Sequence, residues 1–220
     1  MSITRNREQA KSSTVGERRY ATVNPATGEH LRDFPFLKDD RINAVVDAAQ
    51  QAFLGWRGWP VTERAEVVGR AAQLLAERED EFARLMTLEM GKLLADSHGE
   101  VLWAADILQY FADCGPGFLE PEVLPVNDGE AVVVNAPLGV LLAIEPWNFP
   151  LYQVVRVAGP QLIAGNTVLL KHSEICPQTA LALERVFLDA VSLTVSTPMS
   201  SSVLPTSIAS SPILQCKVCH

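Results

Sequence analysis

The clearest structural signal in this sequence is residues 139–171, which read GVLLAIEPWNFPLYQVVRVAGPQLIAGNTVLLK. Two short runs within it, at 140–144 and 167–171, are rich in Val, Ile and Leu and predict β-strands. Residues 152–164 predict a helix, and a Gly-Asn turn separates that helix from the second strand. The first strand is apolar throughout, which is typical of a strand covered on both faces of a parallel sheet.

A second helix is predicted over residues 177–190, so the elements follow the order β-α-β-α. This order is typical of doubly wound nucleotide-binding folds, in which ligands bind beyond the carboxyl ends of the parallel strands. Two such ends occur here, at residues 144–150 and 170–174. Neither connection carries the GxGxxG fingerprint that many dinucleotide-binding folds use.

The preceding half of the chain is predicted to be mostly helical. Residues 40–56 place apolar side chains at i, i+3, i+4, i+7 and i+11, which is one face of a helix, and Asp39 or Asp40 is its candidate N-cap. Thr62 is the candidate cap of a second helix. The pattern changes near the Gly-Pro pair at 115–116, and the other predicted elements are helices at 79–90 and 95–112 and a strand at 130–134.

Composition narrows the class of protein. Of 220 residues, 48% are hydrophobic and 20% are charged, a balance that predicts a globular protein with a buried core. The net charge is −8, so neither nucleic acid nor an anionic membrane is an expected partner. The apolar runs are too short to span a bilayer, and four cysteines without a secretory signal predict a reducing, cytoplasmic environment.

Residues 139–171, together with VNPATGE at 23–29 and LEMGK at 88–92, resemble the aldehyde dehydrogenase superfamily, in its succinate-semialdehyde-oxidising branch. The resemblance covers residues 20–190. It implies an α/β fold, namely an incomplete doubly wound NAD(P)-binding domain of an aldehyde dehydrogenase from which the catalytic domain is absent. The missing GxGxxG fingerprint agrees with it, because this family holds its dinucleotide without those glycines.

The resemblance implies a role for Asn148. Enzymes of this family attack an aldehyde with a Cys thiolate and pass a hydride from the thiohemiacetal to the nicotinamide. Asn148 matches the Asn that stabilises the developing oxyanion, a task for which a fixed amide donor is suited. The alternative is an Asn that only stabilises the turn before a Phe-Pro pair.

The resemblance also implies which residues bind NAD or NADP. Lys171 and Glu174 match the positions that hold the adenosine ribose and the neighbouring phosphate, and the alternative is an exposed loop ion pair. His172 stands where the family usually has Pro. The implied cofactor-binding residues are Ile144, Pro146, Trp147, Asn148, Lys171, Ser173 and Glu174. No metal site is implied.

A substrate contact is implied at Arg156. Tyr152 and Arg156 lie one helical turn apart and so share a face. The matching Arg in succinate-semialdehyde dehydrogenases helps hold the distal carboxylate of the substrate, for which a guanidinium is suited. The alternative is a solvated Arg on an amphipathic helix. Trp147 and Phe149 are expected to lie partly in a pocket wall and partly in the core.

The nucleophilic Cys and the general-base Glu of the family are expected beyond residue 190. Cys114 is interpreted as a small buried hydrophobe. Cys176 opens a helix whose dipole could lower its pKa, and it is interpreted as structural. Cys216 and Cys219 belong to a C-terminal CxxCH motif that we interpret as accidental, the alternative being covalent haem attachment.

Residues 191–220 differ in character from the rest: they are rich in Ser and Thr, contain no acidic residue and show no periodicity. If each codon junction after Ala190 is read one base out of phase, the residues permitted include Gly-Leu-Pro-Asp-Gly-Val-Tyr-Thr-Asn-Val, which resembles the continuation of the family. Junctions from Pro212 to Cys219 permit a further family-like segment. We therefore hypothesise that residues 191–220 are translated out of frame.

The predicted organisation has five parts: a flexible tail at 1–19, an N-terminal helical part at 20–115, a strand pair for oligomerisation at 116–138, the first β-α-β-α of the cofactor domain at 139–190, and the out-of-frame tail. The chain is expected to be the N-terminal part of an NAD(P)-dependent aldehyde dehydrogenase and to be inactive alone. Its parent is expected to be a homo-oligomer that oxidises succinate semialdehyde. The alternative is a non-catalytic dinucleotide-binding or oligomer-capping module.

Overall fold

The computed structural model describes residues 19–35 and 39–194. The predicted tails at 1–19 and 191–220, except for their inner ends, and the CxxCH motif lie outside the described residues. The strands are β1 (Arg19–Val23), β2 (His30–Pro35), β3 (Glu122–Leu124), β4 (Ala131–Val133), β5 (Val140–Ile144) and β6 (Thr167–Lys171). The helices are α1 (Asp39–Trp56), α2 (Val61–Glu77), α3 (Glu79–Met90), α4 (Leu94–Phe118), α5 (Tyr152–Ile163) and α6 (Pro177–Thr194). None of the helices in these ranges combines the length and apolar character that a bilayer crossing requires.

Strands β5 and β6 form a parallel pair joined by α5, which confirms the β-α-β-α order predicted from the sequence. β6 is buried along most of its length, as expected for a strand between two layers. The same expectation is wrong for β5. Leu142 and Ile144, which point to one face of that strand, are 44% and 57% exposed, because no described element packs over that face.

Two antiparallel strand pairs accompany the parallel pair. β1 pairs with β2 around the NPATG segment at 24–28, where Gly28 has a φ of +73° and its N–H donates to the carbonyl of Asn24 at 2.8 Å. The sequence predicted a helical part here and did not indicate either strand, because the charged residues of HLRDFP break the apolar alternation. β4 lies within the predicted strand at 130–134, and its partner β3 is too short at three residues to show a pattern.

Helix α4 is longer than predicted. The sequence predicts an end near residue 112, whereas the helix continues through Pro116 to Phe118. Gly115 is buried against α5, since a Cβ built there would lie 2.7 Å from Cγ2 of Ile163. This close packing holds the last turns of α4 against α5. The predicted cap at Thr62 is wrong, because Pro60 occupies the N-cap position of α2 and provides no side-chain hydrogen bond.

One hydrophobic core joins the helical layer to the parallel pair. Its largest fully buried side chains come from both parts and include Trp56, Leu75, Phe82, Leu108, Ile163, Leu170 and Leu183. The C-terminal end of α5 is held from the helical layer as well. Nε1 of Trp56 donates to the Leu162 carbonyl and Nε of Arg64 to the Ile163 carbonyl, both at 2.9 Å. A buried cation at this end complements the helix dipole, so α5 is tied to the helices that precede it.

Candidate functional site

The two predicted ligand loops lie side by side. Ile144 pairs with Lys171 at the carboxyl ends of β5 and β6, and the N–H of Glu145 donates to the Lys171 carbonyl at 3.1 Å. The connection at 145–151 and the connection at 172–176 therefore leave the sheet at the same edge. This is the edge at which doubly wound folds bind their ligands.

His172 links these two connections. Its side chain is buried, with Nδ1 2.7 Å from the N–H of Ser173 and Nε2 3.0 Å from the Pro150 carbonyl. Because Nδ1 accepts the Ser173 N–H, Nε2 carries the proton and donates it to Pro150. Burial lowers the pKa of His172, which favours the same neutral form. The residue that departs from the family pattern thus ties one loop to the other.

Glu100 and Lys92 hold the first loop from the helical layer. Oε1 of Glu100 accepts the N–H groups of Leu151 and Tyr152 at 2.9 and 3.1 Å, at the start of α5. Oε2 of Glu100 forms an ion pair with Nζ of Lys92. That ammonium also lies 3.4 Å from the Asn148 carbonyl. The backbone on both sides of Pro150 is therefore fixed by side chains far away in the sequence.

Asn148 presents an unused amide at the surface of this loop. Its side chain is exposed, and within the described residues it makes no hydrogen bond to the backbone of the turn. The interpretation of Asn148 as a turn stabiliser therefore has no contact in its favour. Trp147 and Phe149 on either side are also exposed, at 49% and 39%, so the expectation that they lie partly in the core is wrong.

The predicted ribose contacts lie at the last residue of β6 and in the connection that follows it. Lys171 is half-buried and Glu174 is exposed, and in the described structure no ion pair joins them. The loop ion pair between Lys171 and Glu174, which was the alternative interpretation, is therefore not formed. Oγ of Ser173 accepts the N–H of Ile175 at 3.3 Å, which shapes the turn that displays Glu174. Ile144 is exposed at the end of β5, beside exposed Pro146.

The start of α6 is occupied by Glu89 of α3. Its Oε1 accepts the N–H of Gln178 at 2.7 Å, and its Oε2 accepts the N–H and the hydroxyl of Thr179 at 2.8 and 2.7 Å. Burial raises the pKa of Glu89, and the hydrogen bonds from Thr179 and Gln178 oppose that shift. At the start of both α5 and α6, helices that follow a parallel strand, a buried glutamate of the helical layer thus accepts the first backbone N–H groups. The N–H groups that these two glutamates accept are therefore not available to a phosphate.

Arg156 lies on an aromatic stack at the surface of α5. Its guanidinium carbon is 5.4 Å from the ring centroid of Tyr152, which confirms that the two share a helix face. Tyr152 in turn stacks on Trp103 of α4, with ring centroids 4.2 Å apart. Burial raises the pKa of Glu145, and the nearby charge of Arg156 opposes that shift. Arg156 is therefore an exposed cation held over an aromatic face near one carboxylate.

Neither cysteine in the described ranges resembles a reactive thiolate. Cys176 is fully buried, and its thiol lies 3.9 Å from the Trp147 carbonyl. Burial and the charges of Glu89 and Glu100 raise its pKa, so the lowering by the α6 dipole that the sequence allowed does not occur. Cys114 lies within α4 and is half-buried, and not fully buried as the sequence interpretation expected. No cluster of possible metal ligands occurs in the same ranges.

Sequence reasoning missed the residues that support the loops. Within the described residues, four charged side chains of the helical layer form hydrogen bonds with backbone atoms of the parallel part: Arg64, Glu89, Lys92 and Glu100. For Arg64, Glu89 and Glu100 the signal that could have found them is a charge inside an otherwise apolar helical face, since such groups are buried only when paired. Lys92 lies in the connection between α3 and α4 and carries no such signal. LEMGK was singled out for its resemblance alone, and it supplies two of the four.

The parallel β5–α5–β6 unit, continued by α6, defines a mixed α/β nucleotide-binding fold. Residues 11–198 match the aldehyde dehydrogenase family. The chain belongs to the aldehyde dehydrogenase family. This confirms the resemblance found in the sequence and the fold class that it implied.

Named relatives give a finer comparison. The succinate-semialdehyde dehydrogenase (NADP+) of Deinococcus radiodurans is 60% identical over 180 residues, which are 82% of this chain and 38% of that protein. The corresponding enzyme of Escherichia coli is 40% identical over 76% of this chain and 35% of its own length. A crystal structure of succinic semialdehyde dehydrogenase from Streptococcus pyogenes with NADP+ as the cofactor superposes with a TM-score of 0.75, at 38% identity over 78% of this chain and 38% of that one. The chain thus spans about 38% of the length of such relatives.

Proposed function

We propose that this chain is the N-terminal part of an NADP-dependent dehydrogenase that oxidises succinate semialdehyde, and that it contributes the oxyanion donor and the adenosine contacts. The observation that carries the proposal is the exposed, uncommitted amide of Asn148 on a loop whose backbone is fixed beside the end of β6. An amide held in this way needs little reorganisation when charge develops on a substrate oxygen. The names of the relatives support the substrate and NADP.

The residues present fit a dinucleotide. Lys171 supplies a cation and Glu174 a carboxylate, and neither is used by the other. Together they can address a ribose hydroxyl and a phosphate oxygen, and Ser173 holds the turn between them. Ile144, Pro146 and Trp147 would line the path from the ribose to Asn148 along the strand ends. The bound nicotinamide would accept the hydride that leaves the substrate carbon.

Arg156 is proposed to bind the distal carboxylate of the aldehyde. Its guanidinium is exposed on the helix that begins after the Asn148 loop, and the face of Tyr152 restricts its orientation. A planar cation with several donors suits a carboxylate. Glu145 is the carboxylate close enough to influence it electrostatically in the described structure, and a substrate carboxylate would compete with that interaction.

The chain spans about 38% of the length of its relatives. That residues 1–220 alone show no turnover and at most weak dinucleotide binding stays part of the proposal. The hypothesis that residues 191–220 are out of frame remains part of the proposal, as does a cytoplasmic, homo-oligomeric parent. The strand pair at 116–138 is proposed to mediate association, because all of β3 and most of β4 are exposed and carry valines. The alternative is a non-catalytic dinucleotide-binding or oligomer-capping module.

The test begins with the DNA that encodes residue 190 onward. If one corrected base opens a frame that continues the family, the corrected protein should reduce NADP+ with succinate semialdehyde. Asn148→Ala should then lower kcat by roughly 10²–10³-fold, the cost of one oxyanion donor. Gln109→Ala is the matched control, because its carboxamide contacts Asp113 on α4 and not the loop. An unchanged kcat in Asn148→Ala contradicts the oxyanion role, and a gene with no such frame favours the non-catalytic module.

A further inference from the structure

The start of α5 has no capping side chain of its own. Leu151 occupies the N-cap position and cannot accept a hydrogen bond through its side chain. The first two N–H groups are accepted by Glu100 of α4, a residue 51 positions earlier that is 3% exposed. The position at which α5 begins is therefore set by a side chain of another element. Because the Asn148 loop leads directly into α5, Glu100 also restricts where the end of that loop lies.

Lys92 completes this arrangement on the other side of the loop. Its Nζ is paired with Oε2 of Glu100, lies 3.9 Å above the ring of Phe149 and is 3.4 Å from the Asn148 carbonyl. A buried carboxylate is tolerated only when its oxygens are satisfied, and here two N–H groups and one ammonium satisfy both oxygens. The Lys92–Glu100 pair thus contacts the backbone at residues 148, 151 and 152, and the ring of Phe149 lies against the Lys92 ammonium.

We propose that Lys92 and Glu100 are positioning residues that set the orientation of the Asn148 amide. The proposal rests on the oxyanion role proposed for Asn148 and names the groups that make that role possible. Glu100 fixes the direction of the loop through α5, and Lys92 fixes the peptide that follows Asn148. Neither side chain reaches the exposed amide itself, so their action on substrate would be indirect. An ion pair that served stability alone would need no contact with the Asn148 carbonyl.

The experiment compares variants of the full chain by NMR. Lys92→Met should shift the carbonyl resonance of Asn148, and Lys92→Arg should largely restore it because a guanidinium can reach both acceptors. Glu100→Gln keeps one oxygen for the α5 amides but sets its NH₂ group against the ammonium, so it should shift the same carbonyl and leave those amides protected. Glu100→Ala should speed hydrogen exchange at Leu151 and Tyr152 by roughly ten- to a hundredfold, as expected for a lost charge-assisted hydrogen bond.

The matched control is Glu79→Gln, which changes the contact of Glu79 on α3 with His98 on α4 and does not touch the loop. It should leave the Asn148 carbonyl and both amides unchanged. Should the single variants unfold, Lys92→Met/Glu100→Gln removes both charges together; it should fold and still show the shifted Asn148 carbonyl. An Asn148 carbonyl that stays at its wild-type position in every folded variant overturns the proposal.

The failure of the proposed function is measured separately. In the frame-corrected enzyme, Lys92→Met should lower kcat by about tenfold or more and leave KM for NADP+ nearly unchanged, because orientation and not dinucleotide binding is affected. Suppose that Asn148→Ala is fully active while the Lys92 and Glu100 variants still shift the Asn148 carbonyl resonance. In that case the oxyanion role is wrong, and the positioning of the loop by Lys92 and Glu100 stands. If Asn148→Ala is impaired and Lys92→Met is not, the positioning role is wrong.

Discussion

Glu89 and Glu100 act alike, although they lie on different helices and contact different loops. Each is a buried carboxylate whose oxygens accept the first N–H groups of a helix that follows a parallel strand. A negative charge at a helix start is stabilised by the helix dipole. His172 adds the connection between the two loops, so three side chains determine how the strand ends face each other.

The His172 linkage predicts a pH dependence of stability. Its pKa is lowered by burial from the usual 6.5, so the unfolded chain binds the proton more tightly than the folded one. The free energy of unfolding should therefore be highest above about pH 6.5 and should decrease as the pH falls below it. His172→Gln keeps a donor for the Pro150 carbonyl and should lose less stability between about pH 7 and pH 5.

Urea unfolding at each pH measures this difference. His30→Gln is the control, since His30 is an exposed histidine on β2, and it should follow the wild-type curve. If His172→Gln loses as much stability on acidification as the wild type, the buried histidine does not titrate as expected.

At the scale of residues, the sequence drew attention to groups in contiguous motifs and missed the buried charges that contact distant segments. Asn148 and Arg156 were assigned roles because a contiguous motif carries them; the structure leaves both exposed, and their roles stay predictions. Glu100 could not be assigned a role, because its partners are 51 and 52 positions away and nothing in its own helix indicates them. Contacts of this kind arise from tertiary packing, which local patterns do not encode.

Among the helices and strands, too, local sequence patterns predicted some elements well and missed those that depend on tertiary packing. Strands β5 and β6 and helix α3 begin and end at the predicted residues, because their apolar patterns are strong and turn formers flank them. The β1–β2 hairpin was missed because its stability comes from strand pairing and not from alternation. The end of α4 was placed too early, because Gly and Pro normally end a helix and only the packing against α5 overrides that tendency.

The contact between α4 and α5 predicts opposite effects for two glycines of one helix. A methyl group at Gly115 would lie 2.7 Å from Cγ2 of buried Ile163, so Gly115→Ala should lower the free energy of unfolding by about 1–3 kcal/mol. At Gly99, which is exposed in the same helix, nothing lies within 4 Å of the added Cβ. Gly99→Ala should raise the free energy of unfolding by roughly 0.5–1 kcal/mol.

Chemical denaturation of both variants tests whether the free energy of unfolding falls in Gly115→Ala and rises in Gly99→Ala. A neutral or stabilising Gly115→Ala would show that α4 does not approach α5 so closely. The control is internal, since the two substitutions have the same effect on backbone freedom and differ only in what surrounds the new methyl group.

For the whole molecule, the proposed association through residues 116–138 makes a further prediction. Val123 and Val132 are directly paired across β3 and β4 and are 73% and 48% exposed. Replacing both by Lys should lower the average mass measured by sedimentation velocity, because like charges would then face a partner across an apolar surface. Leu54→Lys on α1 is the matched control at a similarly exposed apolar residue and should not change the mass. A wild-type chain that stays monomeric at every concentration contradicts the proposed association.

The clamping of α5 at both ends has a consequence for recombination between homologues. Its N-terminal end depends on Glu100 and its C-terminal end on Arg64, both contributed by the helical layer. A chimera with its crossover between residues 118 and 139 would combine an α5 from one parent with clamps from the other. Such exchanges should succeed when the donor of the first segment keeps an acid and a base at these two positions. When it does not, the backbone N–H groups at the start of α5 and the carbonyl groups at its end would lack these side-chain partners. Grafting of the β-α-β-α unit alone should fail for the same reason.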